Sequence, residues 1–101
     1  MIDRREALRR SMEHWRYNYR LAKEGRLQHK HIGAGRCALC QLYMGDDCFG
    51  CPLRECGCGC TMPDSPYSKV FEALICDEDP TEPAKHLFHT LRKLYREEIL
   101  K

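Results

Sequence analysis

Hydrophobic side chains recur at helical spacing in the first quarter of the chain. They follow one another at steps of four, three, four and three residues: Leu8, Met12, Trp15, Tyr19 and Ala22. At about 100° per residue these positions share one face of a helix. Asp3 stands where an N-cap is needed, Glu6 is at the capping-box spacing, and Gly25 is placed to end the helix in the left-handed conformation. The pattern predicts a helix over residues 3–24, with Trp15 serving the core.

Two further helices are predicted in the last third of the chain. Ser65 and Pro66 have the form of a cap followed by a first-turn proline, and the apolar spacing after them predicts a helix over 65–76. Thr81 is expected to cap the last helix, over 81–100. Four apolar residues share one face of the helix over 65–76: Val70, Phe71, Leu74 and Ile75. Six are expected to form the buried stripe of the last helix: Leu87, Phe88, Leu91, Leu94, Tyr95 and Ile99. No segment alternates convincingly in the manner of a strand, so the predicted fold class is mainly α.

The middle of the chain, residues 37–62, is rich in cysteine and glycine. The chain has eight cysteines in 101 residues, and a domain of that size buries so little surface that a metal or a disulfide often supplies the missing stability. The N-terminus carries charge where an export signal would need an apolar run, and no stretch approaches the ~18 apolar residues of a membrane span. We therefore expect a cytoplasmic protein without membrane contact, in whose reducing environment clustered cysteines are metal ligands rather than disulfides.

Two C-x-x-C pairs are the basis of the metal hypothesis, in the order Cys37-x2-Cys40-x7-Cys48-x2-Cys51. That spacing lets both sulfurs of a pair bind one ion, and two pairs complete a tetrahedron. Thiolates favour zinc or an iron–sulfur cluster over hard cations. Zinc is the first expectation. An iron–sulfur cluster is the alternative, because the pair Cys51-Pro52 matches the end of the bacterial ferredoxin cysteine run, and buried cysteines without a metal are the third reading.

A second set of cysteines alternates with other residues: Cys56, Cys58 and Cys60, with Cys76 apart. In an extended segment the three would face the same side, where they could serve a second metal with Cys76 or a histidine. In the simpler interpretation, one of the three is a ligand of the first site and the others are small apolar side chains.

The predicted architecture is a single domain, residues 1–101, of three helices around a metal-stapled, zinc-knuckle-like loop.

Several of these motifs resemble a group of short proteins of bacteriophages and prophages. The motifs that carry the resemblance follow a tryptophan-containing helix: Cys37-Ala38-Leu39-Cys40, Tyr43, Cys48-x2-Cys51-Pro52-Leu53, Gly59-Cys60 and Ser65-Pro66-Tyr67. The resemblance covers about residues 12–75. It implies a mobile-element accessory protein in the host cytoplasm and implies Cys60 as a fifth recurrent cysteine, which makes Cys60 the first substitute in the ligand set. Cys56 and Cys58 depart from the pattern, and the resemblance brings no known activity.

Charge is unevenly distributed along the chain. Residues 1–36 carry ten Lys/Arg against four Asp/Glu, a net +6, and residues 37–101 carry seven against eleven, a net −4. Five cations fall within about 60° of one another on the first helix, beside its apolar face: Arg5, Arg9, Arg16, Arg20 and Lys23. Arginines next to aromatic side chains suit contacts to phosphates and bases, so we expect DNA or RNA to bind here. The alternatives are a solvated helix face, partly neutralised by Glu13 and Glu24, and a docking surface for an acidic protein.

No catalytic motif accompanies these features. The chain has no glycine-rich phosphate loop, no H-E-x-x-H, no serine nucleophile elbow and no zinc-deaminase signature. An all-cysteine zinc site is normally closed and structural, and His86 and His89 on the last helix are expected to be surface or partly buried imidazoles. We therefore expect a binding module rather than an enzyme. It binds nucleic acid through the first helix or, alternatively, docks on a host protein as an adaptor or inhibitor through the metal loop or the acidic back half.

Overall fold

The computed structural model describes residues 3–32, 53 and 65–100. Three α-helices follow in chain order: α1 over Arg4–Lys23, α2 over Pro66–Ile75 and α3 over Thr81–Ile99. A short 3₁₀ turn, His29–His31, follows α1. No strand occurs among the described residues, so the prediction of a mainly α protein is confirmed. The predicted metal-stapled loop over 37–62 lies outside them, apart from Leu53.

The predicted side-chain caps form the starts of α1 and α2. Asp3 accepts a hydrogen bond from the Glu6 N–H at 2.9 Å, and Ser65 accepts one from the Ser68 N–H at 3.1 Å. Each bond satisfies a backbone donor that the first turn of a helix leaves without an intrahelical partner. The chain leaves α1 through Gly25, whose φ of 70° lies in the left-handed region that glycine adopts without steric cost.

The start of α3 differs from the prediction. Pro80 occupies the N-cap position, and Thr81 is the first helical residue. The Asp79 carboxylate accepts a hydrogen bond from the Thr81 N–H at 3.0 Å, and the Thr81 hydroxyl lies between that carboxylate and the carbonyl oxygen of Ala22, 3.2 Å away. Donation from the Thr81 hydroxyl and N–H holds the pKa of Asp79 below its ordinary value. The prediction that Thr81 caps α3 was wrong, because its side chain instead fastens the start of α3 to the end of α1.

The core lies between α1 and α3, and α2 packs against α3. All three helices contribute large, fully buried apolar side chains: Leu8, Val70, Leu87 and Leu91. Trp15 is 3% exposed, and its ring meets that of Tyr67 edge-on at 6.2 Å between centroids. Leu53 belongs to the same cluster and is 2% exposed. Trp15 therefore serves the core as predicted, and Leu53, the residue of the cysteine-rich segment that the structure describes, belongs to that core as well.

The apolar stripes of α2 and α3 are buried only in part. Phe71 and Ile75 on α2 are 44% and 61% exposed, and Ile99 on α3 is 39% exposed. The prediction that Ile99 belongs to the buried stripe of the last helix was wrong. α2 contributes Val70 and Ala73 to the buried residues, so the face it buries is narrower than its apolar stripe.

The connection that follows α1 is held against both α1 and α2 by hydrogen bonds. The His31 carbonyl accepts from Asn18 Nδ2 at 3.2 Å and from His14 Nε2 at 2.8 Å, and this nitrogen carries the proton because a carbonyl only accepts. The Tyr67 hydroxyl donates to the Ile32 carbonyl at 2.8 Å. The backbone is therefore held in place where the chain enters the cysteine-rich segment.

Candidate nucleic-acid interface

A groove of about 400 Å³ lies along the exposed side of α1, next to α3. We call it the basic groove. Its lining combines three cations, three aromatic rings and one carboxylate: Arg16, Arg20, Lys23, Tyr17, Tyr19, Phe88 and Glu13. All but Phe88 come from α1. The groove therefore brings together three of the five cations that the sequence predicts to contact nucleic acid.

Tyr19 and Phe88 join α1 to α3 within the basic groove. Their rings stack with centroids 6.3 Å apart and planes inclined by 24°. Lys23 Nζ lies 4.6 Å from the centroid of the Tyr19 ring, and Arg92 Cζ lies 5.9 Å from that of Phe88. A cation over a ring face is attracted by the ring quadrupole, by about 0.5–1 kcal/mol at an exposed site. The stacked rings of Tyr19 and Phe88 therefore attract the charged groups of Lys23 and Arg92.

Arg16 and Arg20 are exposed cations of the same groove. In the part of the chain that the structure describes, neither forms an ion pair. Arg20 Cζ lies 5.8 Å from the centroid of the Tyr17 ring. Glu24, the partner expected for Arg20, lies instead 4.0 Å from Arg26. Among the residues that the structure describes, no carboxylate therefore neutralises the exposed charges of Arg16 and Arg20 through an ion pair.

Arg9 has a different environment. Its guanidinium binds the carboxylates of Glu6 and Glu13, the latter at 3.0 Å, and Arg10 binds Glu6 as well, also at 3.0 Å. Hydrogen bonds from Arg9 and Arg10 lower the pKa of Glu6 to about 2, and Glu6 in turn raises the pKa of Arg9. Arg9 is thus largely neutralised by its neighbours, while Arg5 is exposed but does not line the groove.

Tyr17, Phe88 and Arg92 were not among the residues predicted for the site. Phe88 and Arg92 lie on α3, about seventy residues after the groove cations, and only the packing of α3 on α1 brings them there. Tyr17 had a signal in the sequence, because it stands between Arg16 and Tyr19 on a helix face that is otherwise charged.

The predicted metal ligands lie outside the described residues: Cys37, Cys40, Cys48, Cys51 and Cys60, together with Cys56 and Cys58. Cys76 is exposed and carries a free thiol. Residues 3–32 and 65–100 contain no group of three His, Cys, Asp or Glu side chains arranged to hold a metal. His86 is exposed, and the half-buried His89 ring lies 5.2 Å from that of Phe88.

Comparisons with protein families, curated proteins and solved structures find no match to this chain. Among the described helices, none is both long enough and apolar enough to cross a membrane. The charge and geometry of the basic groove are therefore the basis for a functional proposal.

Proposed function

We propose that this protein is a non-catalytic binding module that binds nucleic acid through the basic groove. The observation that carries the proposal is the presence, in one groove, of exposed cations and a stacked pair of aromatic rings. Lysine and arginine neutralise backbone phosphates, and aromatic faces stack with bases. Arg16, Arg20 and Lys23 supply the phosphate contacts, and Tyr19 and Phe88 supply the apolar floor.

The affinity comes mainly from the release of counterions when phosphates are neutralised. Each phosphate contact adds about 0.9 to the slope of log K against log salt on duplex DNA and about 0.7 on single strands. The three groove cations therefore account for a slope of roughly 2 on single strands or 3 on duplex DNA. Arg5 adds a weaker contact from the start of α1. Arg9 contributes least, because its charge is already bound by two carboxylates.

The test is a triple variant, Arg16→Gln/Arg20→Gln/Lys23→Gln, measured by fluorescence anisotropy with labelled single-stranded and duplex DNA over a range of salt. The matched control removes three exposed cations of α3 that do not line the groove: Lys85→Gln/Lys93→Gln/Arg96→Gln. Both variants lower the formal net charge by three, from +2 to −1. Any difference between them is therefore due to position rather than to total charge.

We expect the groove variant to lose roughly 2 from the slope on single strands and the control to lose far less. The loss should be similar for different base sequences, because phosphate contacts carry no sequence information. Wild-type protein that binds neither form of DNA nor RNA at low salt would end the nucleic-acid proposal. Equal losses in the two triple variants would leave binding in place but remove the groove as its cause.

We further propose that the cysteine-rich segment holds a structural zinc ion. Support comes from the two C-x-x-C pairs and from Leu53, the described residue of this segment, which is buried in the core. The proposed ligands are Cys37, Cys40, Cys48 and Cys51, with Cys60 as the substitute for one of them. Zinc bound in this way stabilises the fold, since structural zinc contributes on the order of 10–16 kcal/mol of apparent binding free energy in small zinc-finger peptides.

Elemental analysis of protein purified without added metal tests the zinc proposal. We expect about one zinc per chain, and chelation should lower the melting temperature and weaken the near-ultraviolet circular dichroism of Trp15. Bound iron with visible absorbance would favour the iron–sulfur alternative. Protein that contains no metal, or that keeps its melting temperature after chelation, would contradict a structural metal.

The alternative function is that of a phage-type accessory protein that docks on a host protein. The observation that favours it is the exposure of Phe71 and Ile75, one helical turn apart on α2, next to the acidic turn at 77–79. In a pull-down from host lysate, a partner retained after nuclease treatment by wild type, but lost from Phe71→Ser/Ile75→Ser, would support docking. Loss of all bound material after nuclease treatment would count against it.

A further inference from the structure

A second groove, of about 290 Å³, shares Tyr17 with the basic groove. We call it the turn groove, because residues of the connection after α1 form most of its lining: Tyr17, Leu21, Gly25, Arg26, Gln28, Lys30 and His31. Tyr17 lines both the turn groove and the basic groove. The cations of α1 and those of the connection therefore flank a single aromatic side chain.

Tyr17 is 46% exposed, although α1 contributes to the core. Arg20 Cζ lies 5.8 Å from its ring centroid, and the His31 ring meets it at 6.4 Å with the planes inclined by 72°. These neighbours restrict the ring while leaving nearly half of the side chain open to solvent. A restricted, exposed ring stacks on a base with little loss of side-chain entropy.

The turn groove supplies its own cations. Arg26 lies 4.0 Å from Glu24, but both side chains are well exposed, so solvent screens this pair. Lys30 is exposed and forms no ion pair within the described residues. His31 Nδ1 accepts a hydrogen bond from the Gln28 N–H at 3.0 Å, so the neutral ring carries its proton on Nε2 and can donate there.

We propose that the two grooves together bind single-stranded nucleic acid, with one base stacked on Tyr17 and the flanking phosphates neutralised in the basic groove and the turn groove. This proposal rests on the proposed function and specifies its substrate. Cations that follow a backbone on both sides of an aromatic platform are typical of single-strand binding. In a duplex the bases are paired and stacked on one another, so the Tyr17 ring would have no base face to contact.

The experiment compares labelled single strands of about 12 nucleotides, oligo-dT and oligo-rU, with a duplex of the same length. Tyr17→Ala removes the stacking platform, and Tyr17→Phe keeps the ring. Phe71→Ala is the matched control, because Phe71 is equally exposed, at 44%, but lies on α2 and lines neither groove. Far-ultraviolet circular dichroism verifies that each variant keeps the helical fold.

We expect wild type to bind at least one single strand more tightly than the duplex at the same salt. Tyr17→Ala should weaken single-strand binding by roughly 5- to 150-fold, the range found for loss of one stacked base, and should weaken duplex binding far less. Tyr17→Phe and Phe71→Ala should bind single strands within about 2-fold of wild type. Lys30→Gln should lower the single-strand salt slope by about 0.7.

Equal binding of duplex and single strands, or full single-strand affinity in Tyr17→Ala, would overturn this inference. In both cases nucleic-acid binding through the basic groove would survive. The absence of any binding by wild type would instead remove the proposed function itself. The three results are distinguishable, because the first two leave binding by wild type in place and the third does not.

Discussion

Replacement of Asn18 by aspartate tests whether the backbone before the cysteine-rich segment is held as described. Asn18 is fully buried, and its Nδ2 donates to the His31 carbonyl at 3.2 Å. Asn18→Asp keeps the shape of the side chain but replaces the donor with an acceptor. Two oxygens then face each other without a proton between them, and a carboxylate is placed where water does not reach.

The expected cost follows from this burial. An uncompensated buried charge typically costs about 3–5 kcal/mol, which is a large fraction of the ~5–15 kcal/mol that stabilises a domain. At roughly 4–8 °C per kcal/mol, the melting temperature should fall by at least about 12 °C at neutral pH. Burial raises the pKa of the introduced carboxyl above its unfolded value of about 3.9, so the deficit is present above the folded pKa and shrinks as pH falls toward the unfolded value.

Asn18→Leu is the matched control, because its side chain has the same number of heavy atoms, branched at the same carbon, and no polar atoms. It loses one hydrogen bond of about 0.5–1.5 kcal/mol, but it also removes Asn18 Oδ1, a buried acceptor without a partner among the described residues. The His31 carbonyl keeps its bond from His14 Nε2. We therefore expect Asn18→Leu to lie within about 1 kcal/mol of wild type.

Urea and thermal unfolding at pH 4.5 and 7.5, each referred to wild type at the same pH, provide the measurement. The reasoning would be refuted if Asn18→Asp were as stable as Asn18→Leu at pH 7.5, or if its deficit did not shrink at pH 4.5. Either result would mean that water reaches the His31 carbonyl and that the connection after α1 is not held by a buried hydrogen bond.

Two further predictions concern α1. The pKa of Glu6 is about 2 because Arg9 and Arg10 donate to its carboxylate, so its stabilising contribution is complete above the ordinary pKa of 4.5 and is lost as pH falls toward 2. NMR titration of the Glu6 carboxyl should give this value, and Glu6→Gln should lose part of the acid dependence of stability; a midpoint near 4.5 would contradict the ion pairs. Gly25→Ala meets no atom within 4 Å of the added Cβ, so its cost, roughly 1–2 kcal/mol by chemical denaturation, comes from the positive φ alone. Gly25→Asn, which tolerates this conformation better, should cost less, and an alanine variant as stable as wild type would contradict the left-handed turn.

The helices and their caps were predictable because their causes are local. Asp3 and Ser65 cap through backbone donors three residues away, and Gly25 ends α1 by its own conformational freedom. What was not predictable depends on residues far apart in sequence. Phe71 and Ile75 are exposed because of the face that α2 presents to α3, and Thr81 fastens α3 to Ala22, fifty-nine residues away, instead of capping its own helix.

In the candidate site, too, the features with local causes were the predictable ones. The angular position of a charge on a helix is local information, and it placed Arg16, Arg20 and Lys23 on one face correctly. Whether such a charge is available to bind an anion depends on competition between neighbouring side chains. Glu13 is three residues before Arg16 and four after Arg9, and in the structure it forms an ion pair with Arg9.

That pairing helps separate Arg9, whose charge is neutralised, from the open second half of the basic stripe. The open half is also the part that α3 and the connection after α1 extend, through Phe88 on one side and Lys30 on the other. A helical spacing rule alone distributes the proposed binding function evenly over all five cations. The ion pairs of Arg9 and the two grooves concentrate it instead in the last two turns of α1, around Tyr17, where an exposed ring and exposed cations lie together.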